Sequence, residues 1–148
     1  MKLMITMLSL FATLINQIQS SRENTIDLYF KAYHSGDIAT LEGLMSEDIS
    51  FKDLTSKVIG QELTLEGKEK TITTLSALFS GVSNLKFKSE FNLISAQFGI
   101  SAGVISYTNR QSKITYKVVS IVELDRHNKI KRHLEYADYA AALKQLRN

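Results

Sequence analysis

Ile114-Thr115-Tyr116-Lys117-Val118-Val119-Ser120-Ile121-Val122-Glu123-Leu124 carries the alternation that decides the fold. Ile114, Tyr116, Val118, Ser120, Val122 and Leu124 fall on one side of a period-two pattern, which predicts a long strand with one face toward a core. Asp125-Arg126-His127-Asn128 reads as a turn, and Ile130 to Tyr139 as the returning strand. Upstream, Leu85-Phe87 with Phe91-Leu93 predict one strand and Gly103 to Thr108 another. Ala140 to Leu146 closes the chain with a helical turn.

The first half has a different period. Ile26, Tyr29, Phe30 and Tyr33 recur at i, i+3, i+4 and i+7, the buried stripe of a helix over 21–34 with a cap at Ser20 or Ser21. Ser35-Gly36-Asp37 stops it, and Asp37 caps a second helix from Ile38 to Met45. A short strand comes next in Ile49-Ser50-Phe51-Lys52-Asp53, then Val58-Ile59-Gly60 and a polar connection to Gly67. A third helix runs from Lys68 to Phe79 and ends at Gly81. Three helices with an early strand pair, then a run of antiparallel strands, predict an α+β domain, with the three helices on one face of a curved, mostly antiparallel sheet.

At 148 residues the chain makes one domain. It is 44% hydrophobic and 22% charged, with a formal charge of +3 and no cysteine or proline. The absence of cysteine excludes disulfides, thiolate metal sites and cysteine nucleophiles. The basic group Arg126, Lys129, Lys131 and Arg132 surrounds a turn without interleaved stacking aromatics, so no nucleic-acid face is expected. Leu3 through Ile15 is an apolar run broken only by Thr and Ser, too short to span a bilayer and suited to the core of a signal peptide. Residues 1–20 are therefore read as a signal for export to the periplasm or medium, and 21–148 as the folded domain. The alternative is a cytoplasmic protein in which 1–20 extend the first helix.

An even-length turn in the last hairpin makes facing residues sum to an odd number. Ser120 then faces His133, Val118 faces Glu135 and Tyr116 faces Ala137, all on the apolar side of the long strand. A three-residue loop or a bulge would reverse the side. Tyr116, Val118, Ser120, Val122 and Ala137 are thus the candidate ligand-binding wall, with His133 and Glu135 as a titratable pair set into it. The histidines are dispersed, so neither a metal nor a cofactor is expected, and His34 and His127 are assigned no role.

Tyr29, Gly36-Asp37, Asp48, Phe51-Lys52-Asp53 and Gly67-Lys68-Glu69-Lys70-Thr71-Ile72 together resemble the nuclear transport factor 2-like superfamily. The ending His133-Leu134-Glu135-Tyr136-Ala137-Asp138-Tyr139 is similar to that of its SnoaL-like and ketosteroid isomerase-like branch. The resemblance covers Ser21 to Leu146. It implies a cone-shaped α+β barrel around a deep apolar pocket, and a homodimer formed through the sheet. It places Asp53 at the general base of the ketosteroid isomerases and Tyr29 at their oxyanion-binding tyrosine. Ser120 stands where their second donor, a protonated aspartic acid, would be, and Leu54 replaces the usual proline; both departures argue against steroid isomerisation.

Two readings of function result. In the first, the protein is an isomerase, cyclase or hydrolase acting on a small apolar or amphipathic molecule. Asp53 is the base, His133 and Glu135 relay or orient, and Tyr29 and Ser120 stabilise developing negative charge. In the second, the same cone is a non-catalytic ligand-binding or dimerisation module, with Asp53 capping a turn and His133 and Glu135 a satisfied pair.

Overall fold

The computed structural model describes the backbone of residues 2–60 and 62–146 and the side chains of 12–60 and 62–146. Four helices, α1 (Lys2–Ser35), α2 (Ile38–Leu44), α3 (Lys68–Ser80) and α4 (Tyr139–Gln145), combine with six strands among the described residues. These are β1 (Met45–Asp53), β2 (Leu63–Glu66), β3 (Ser83–Ile94), β4 (Phe98–Asn109), β5 (Ser112–Leu124) and β6 (Ile130–Ala137). They form one sheet in the order β2-β1-β6-β5-β4-β3, in which β1 and β6 run parallel and every other described pair antiparallel. The α+β architecture expected from the periods is the one observed.

Several boundaries differ, each for a local reason. The first helix does not begin at Ser21 but runs unbroken from Lys2, since no glycine or proline interrupts the stretch between. Leu14, Ile15 and Ile18 on that earlier part are more than half exposed. No described helix is long and apolar enough to cross a membrane. The polar connection before Gly67 contains β2, whose Leu65 packs into the core, while Ser56–Ile59 is a 3-10 turn. The last strand stops at Ala137 rather than Tyr139, because the Asp138 carboxylate accepts from Ala141 N and starts α4.

The β5–β6 register also corrects the expected pairs. Val122 faces His133, Ser120 faces Glu135 and Val118 faces Ala137, two residues displaced from the expectation. The inward side is kept because two irregularities cancel. Leu124 pairs with Ile130 across an odd-length loop, and the register then shifts by one between Glu123 and Leu124, with Lys131 as the extra residue.

The core lies between α1 and the inner face of the sheet. Ile26, Tyr29, Phe30 and Tyr33 are buried against Phe51, Leu75, Val122 and Ile130. Gly99 permits this close approach of α1, and Gly103 the packing of Phe87 from β3 over β4. A Cβ on Gly99 would stand 2.9 Å from Phe30 Cε2 and nearer still to Ile26 Cγ2, and one on Gly103 would stand 2.7 Å from Phe87 Cζ and nearer to the Lys88 carbonyl. In contrast, a Cβ on Gly43 in α2 meets nothing within 4 Å. Gly99→Ala and Gly103→Ala should each destabilise by about 1–3 kcal/mol. Gly43→Ala should stabilise by about 0.5–1 kcal/mol. Urea unfolding of the three variants checks both signs.

Candidate functional site

The site grows from a match between two periods. Tyr29 and Tyr33 are one helical step of four residues apart, about 6 Å, and His133 and Glu135 are one strand step of two, about 6.6 Å. The side chains therefore meet as two rungs. The Tyr29 hydroxyl lies 2.9 Å from His133 Nδ1, and the Tyr33 hydroxyl donates to Glu135 Oε2 at 2.6 Å. The two tyrosine rings stack at 6.3 Å and 3° between planes.

Tyr29 has His133 as its sole hydrogen-bond partner among the described residues, so its proton is best placed on Nδ1. That leaves the imidazole proton on Nε2, which is buried and lies 3.6 Å from Glu135 Oε2, too long for a hydrogen bond. Ser120 reaches the same oxygen from below at 3.4 Å. Oε2 is thus surrounded, while Oε1 makes no hydrogen bond to the described residues.

Asp53 is held differently. Its Oδ1 accepts from Thr55 N and Thr55 Oγ1, each at 2.9 Å, and its Oδ2 accepts from the Tyr139 hydroxyl. Thr55 Oγ1 also accepts from Ala137 N at 2.8 Å, tying this turn to the end of β6. Asp53 therefore caps a turn and anchors a tyrosine, and both oxygens are occupied.

A cavity of about 370 Å³ opens in front of these groups. Of the residues singled out from sequence, Asp53, Glu135, Tyr116 and Val118 line it. Tyr29, His133, Ser120, Val122 and Ala137 do not; they are buried behind the wall, with His133, Ser120, Tyr29 and Val122 fully excluded from solvent. The remaining wall is largely apolar, from Phe51, Leu75, Leu78, Phe79, Leu85 and Ile105. Tyr33, Tyr107 and Tyr139 complete the polar end, and the sequence does not single them out as site residues. Tyr33 is legible as part of the α1 stripe, but nothing in one sequence marks its hydroxyl as a partner of a residue 102 positions away.

Neither a protein-family model nor a curated protein matches this chain by sequence. Solved structures match in three dimensions. A candidate SnoaL-like polyketide cyclase from Shewanella denitrificans superposes with a TM-score of 0.73 at 18% identity, over 85% of this chain and 96% of its own. The fold is the nuclear transport factor 2-like fold. An epoxide hydrolase of the LEH-like type from M. tuberculosis gives 0.69 at 15% identity, covering 87% of this chain and 92% of the other. A protein of unknown function with this fold from Burkholderia pseudomallei gives 0.72 at 13%, covering 86% and 98%. At such identities the likeness is one of architecture, and SnoaL-like chemistry must be argued from the residues present.

The electrostatics of this nuclear transport factor 2-like fold are set by burial and by Glu135. Burial raises the pKa of Tyr29, Tyr33 and Tyr139, and the negative charge of Glu135 adds to it in each. Tyr116 is raised by burial, then by Tyr107, then by Glu135. His34 also borders the cavity, stacked on Phe87 with centroids 3.5 Å apart. Burial, and then His133 nearby, lower its pKa to about 4 from 6.5.

Because the folded pKa of His34 is the lower one, the unfolded chain takes up the proton first. The stability this group contributes is complete above pH 6.5 and is lost as pH falls toward 4. Between pH 7 and 4.5 the loss should be about 2–3 kcal/mol. His34→Phe should lack that component when the two proteins are compared by urea unfolding at both pH values. Equal acid losses in the two would assign the titration to other groups.

Proposed function

We propose that this cavity binds a small, largely apolar molecule and acts on it by general acid/base chemistry, with Glu135 as the proton acceptor. The observation that carries this reading is the asymmetry of the Glu135 carboxylate. Oε2 is anchored by Tyr33 at 2.6 Å, while Oε1, on a residue lining the cavity, has no protein partner among the described residues. A base held by one oxygen and free at the other is oriented before any substrate arrives. His133 and Tyr29 sit behind it as positioning residues, and Ser120 supports Oε2.

The place of Asp53 in the sequence points to it as the base. Its two occupied oxygens favour a supporting role instead, in which it fixes Tyr139 at the cavity wall. A hydrolase that begins by taking a proton from water is favoured over an isomerase or cyclase that passes through an enolate. An enolate-forming reaction needs donors aimed at a developing oxyanion. Here Tyr29 and Ser120 lie outside the cavity, and Tyr33 and Tyr139 give their protons to carboxylates. The same inward hydrogen bonding also favours the second reading, a binding module without chemistry.

Native mass spectrometry of the purified full chain, with turnover assays on whatever molecule co-purifies, separates these readings. Glu135→Gln should lower turnover by about a hundredfold or more. Asp53→Asn should have a much smaller effect, since an asparagine oxygen can still accept from Thr55. Unchanged turnover in Glu135→Gln would remove it as the base, and a molecule bound but never converted by the wild-type protein would favour the binding module.

We also propose that a second copy covers the outer face of the sheet. Leu93, Ile100, Ile121 and Leu134 are register neighbours in one row across four strands, and Phe91, Ala102, Val119 and Tyr136 in the next. Phe91 is 54% exposed and Leu93 and Tyr136 each 44%, a contiguous apolar area uncommon on a monomer surface. Sedimentation velocity should give a dimer for the wild type and a monomer for Phe91→Lys with Tyr136→Lys. A monomeric wild type at every concentration would sink this pairing.

A further inference from the structure

The hydrogen-bond polarity of the cavity identifies the class of ligand it suits. Tyr33 spends its proton on Glu135 and Tyr139 spends its own on Asp53. The Tyr116 and Tyr107 hydroxyls are bonded to each other, so one of their two protons is spent between them. What these groups turn toward the cavity is oxygen lone pairs, joined by the free Oε1 of Glu135. Of the described wall side chains, one hydroxyl of the Tyr107–Tyr116 pair, the Asn109 amide and the neutral His34 ring keep a proton to offer. A cavity with many acceptors and few donors suits a ligand that is itself a donor.

The charges point the same way. Asp53 and Glu135 are register partners on the parallel strands β1 and β6, so their side chains leave neighbouring strands, about 4.8 Å apart, on the same face. Like charges in such positions oppose each other. Among the described residues no lysine or arginine lines the cavity to offset them, and the imidazole there, His34, is neutral at pH 7 with its pKa lowered to about 4. His133 lies behind the wall.

The rest of the polar end is aromatic. Tyr116 and Tyr139 have centroids 5.5 Å apart, Tyr107 and Tyr116 6.1 Å, and Tyr33 lies 5.9 Å from Phe79. Aromatic faces attract a cation and offer nothing to an anion.

We infer that the ligand is an apolar amine, bound as its ammonium form with the charged nitrogen between Glu135 and Asp53 and its hydrocarbon part against the apolar wall. Carboxylates, phosphates and enolate-like molecules would meet two negative groups with no lysine or arginine to offset them, and are disfavoured. The inference deepens the proposed function: it rests on this cavity being the ligand site and adds the charge of the ligand.

Three probes on one carbon skeleton test it with the full chain at pH 7, by saturation-transfer NMR and calorimetry. These are cyclohexylmethylammonium, cyclohexylmethanol and cyclohexanecarboxylate. The ammonium should bind about tenfold or more tightly than the alcohol, and the carboxylate should be the weakest of the three. Glu135→Gln, with folding checked by circular dichroism, should weaken the ammonium far more than the alcohol and so close most of the gap between them. An alcohol or carboxylate that binds as tightly as the ammonium overturns the inference while leaving the cavity a ligand site. Failure of all three to bind overturns the ligand-site reading and the inference together. An ammonium preference accompanied by unchanged turnover in Glu135→Gln upholds the inference and removes only the proposed base.

Discussion

The rest of this structure is arranged around a carboxylate, Glu135, buried to 7% exposure in a cavity that no described arginine or lysine lines. Burying such a group is expensive unless hydrogen bonds replace its water. Tyr33 and Ser120 supply them, and His133 turns a ring nitrogen toward the same oxygen. These contacts require α1 to cross the sheet at one rotation and one height. A helix step of four residues nearly equals a strand step of two, so fixing Tyr33 on Glu135 also brings Tyr29 to His133. The apolar stripe of α1 and the hydrogen-bonded rungs therefore specify the same docking. Gly99 removes a side chain that would hold the helix off the sheet.

Across the sheet the same logic extends sideways. Ser101, Ser120, Glu135 and Asp53 are successive register neighbours on β4, β5, β6 and β1. The adjoining row is Gly99, Val122, His133 and Phe51. A polar row thus crosses a largely apolar inner face, and its carboxylates are the two members that reach the cavity. The serines, shorter and fully covered, lie where the sheet is closed over by α1. Side-chain length on one register row is enough to divide it into a buried part and a cavity-facing part.

Much of this arrangement is legible in the residues. The alternation from Ile114 to Leu124 determines which side of β5 faces inward, and the odd sum across the hairpin puts His133 and Glu135 on that side. The individual pairs are not legible, because they depend on a loop and a bulge whose effects on parity cancel. Asp53 stands out by its place after a short strand, but its bond to Tyr139 does not, since the alternation carries the last strand on through that residue. β2 escapes notice because Leu63-Thr64-Leu65-Glu66 is short and sits in a polar stretch, and its pairing with β1 is a tertiary fact. The wall residues Tyr33 and Tyr107 carry no local mark of their role. A core tyrosine and a cavity tyrosine look alike until the partner of the hydroxyl is known.

The position of the site comes from the parallel pair in the sheet. Because β1 and β6 run in the same direction, their C-terminal ends lie at the same rim, and Asp53 and Glu135 are brought side by side there. An antiparallel pairing would have sent the two ends to opposite rims. Each chain segment leaves this rim in a way that protects the arrangement. After Asp53 the chain turns at once, and Thr55 fills one carboxylate oxygen while bonding to the end of β6. After Ala137 the Asp138 cap starts α4, whose first residue, Tyr139, returns to the other Asp53 oxygen. Asp53 is thereby satisfied entirely by the two departures, and Glu135, held from the opposite side by α1, is left as the carboxylate with an oxygen to spare. Strand direction places two like charges together, and the turn after β1 and the helix after β6 give them unequal tasks.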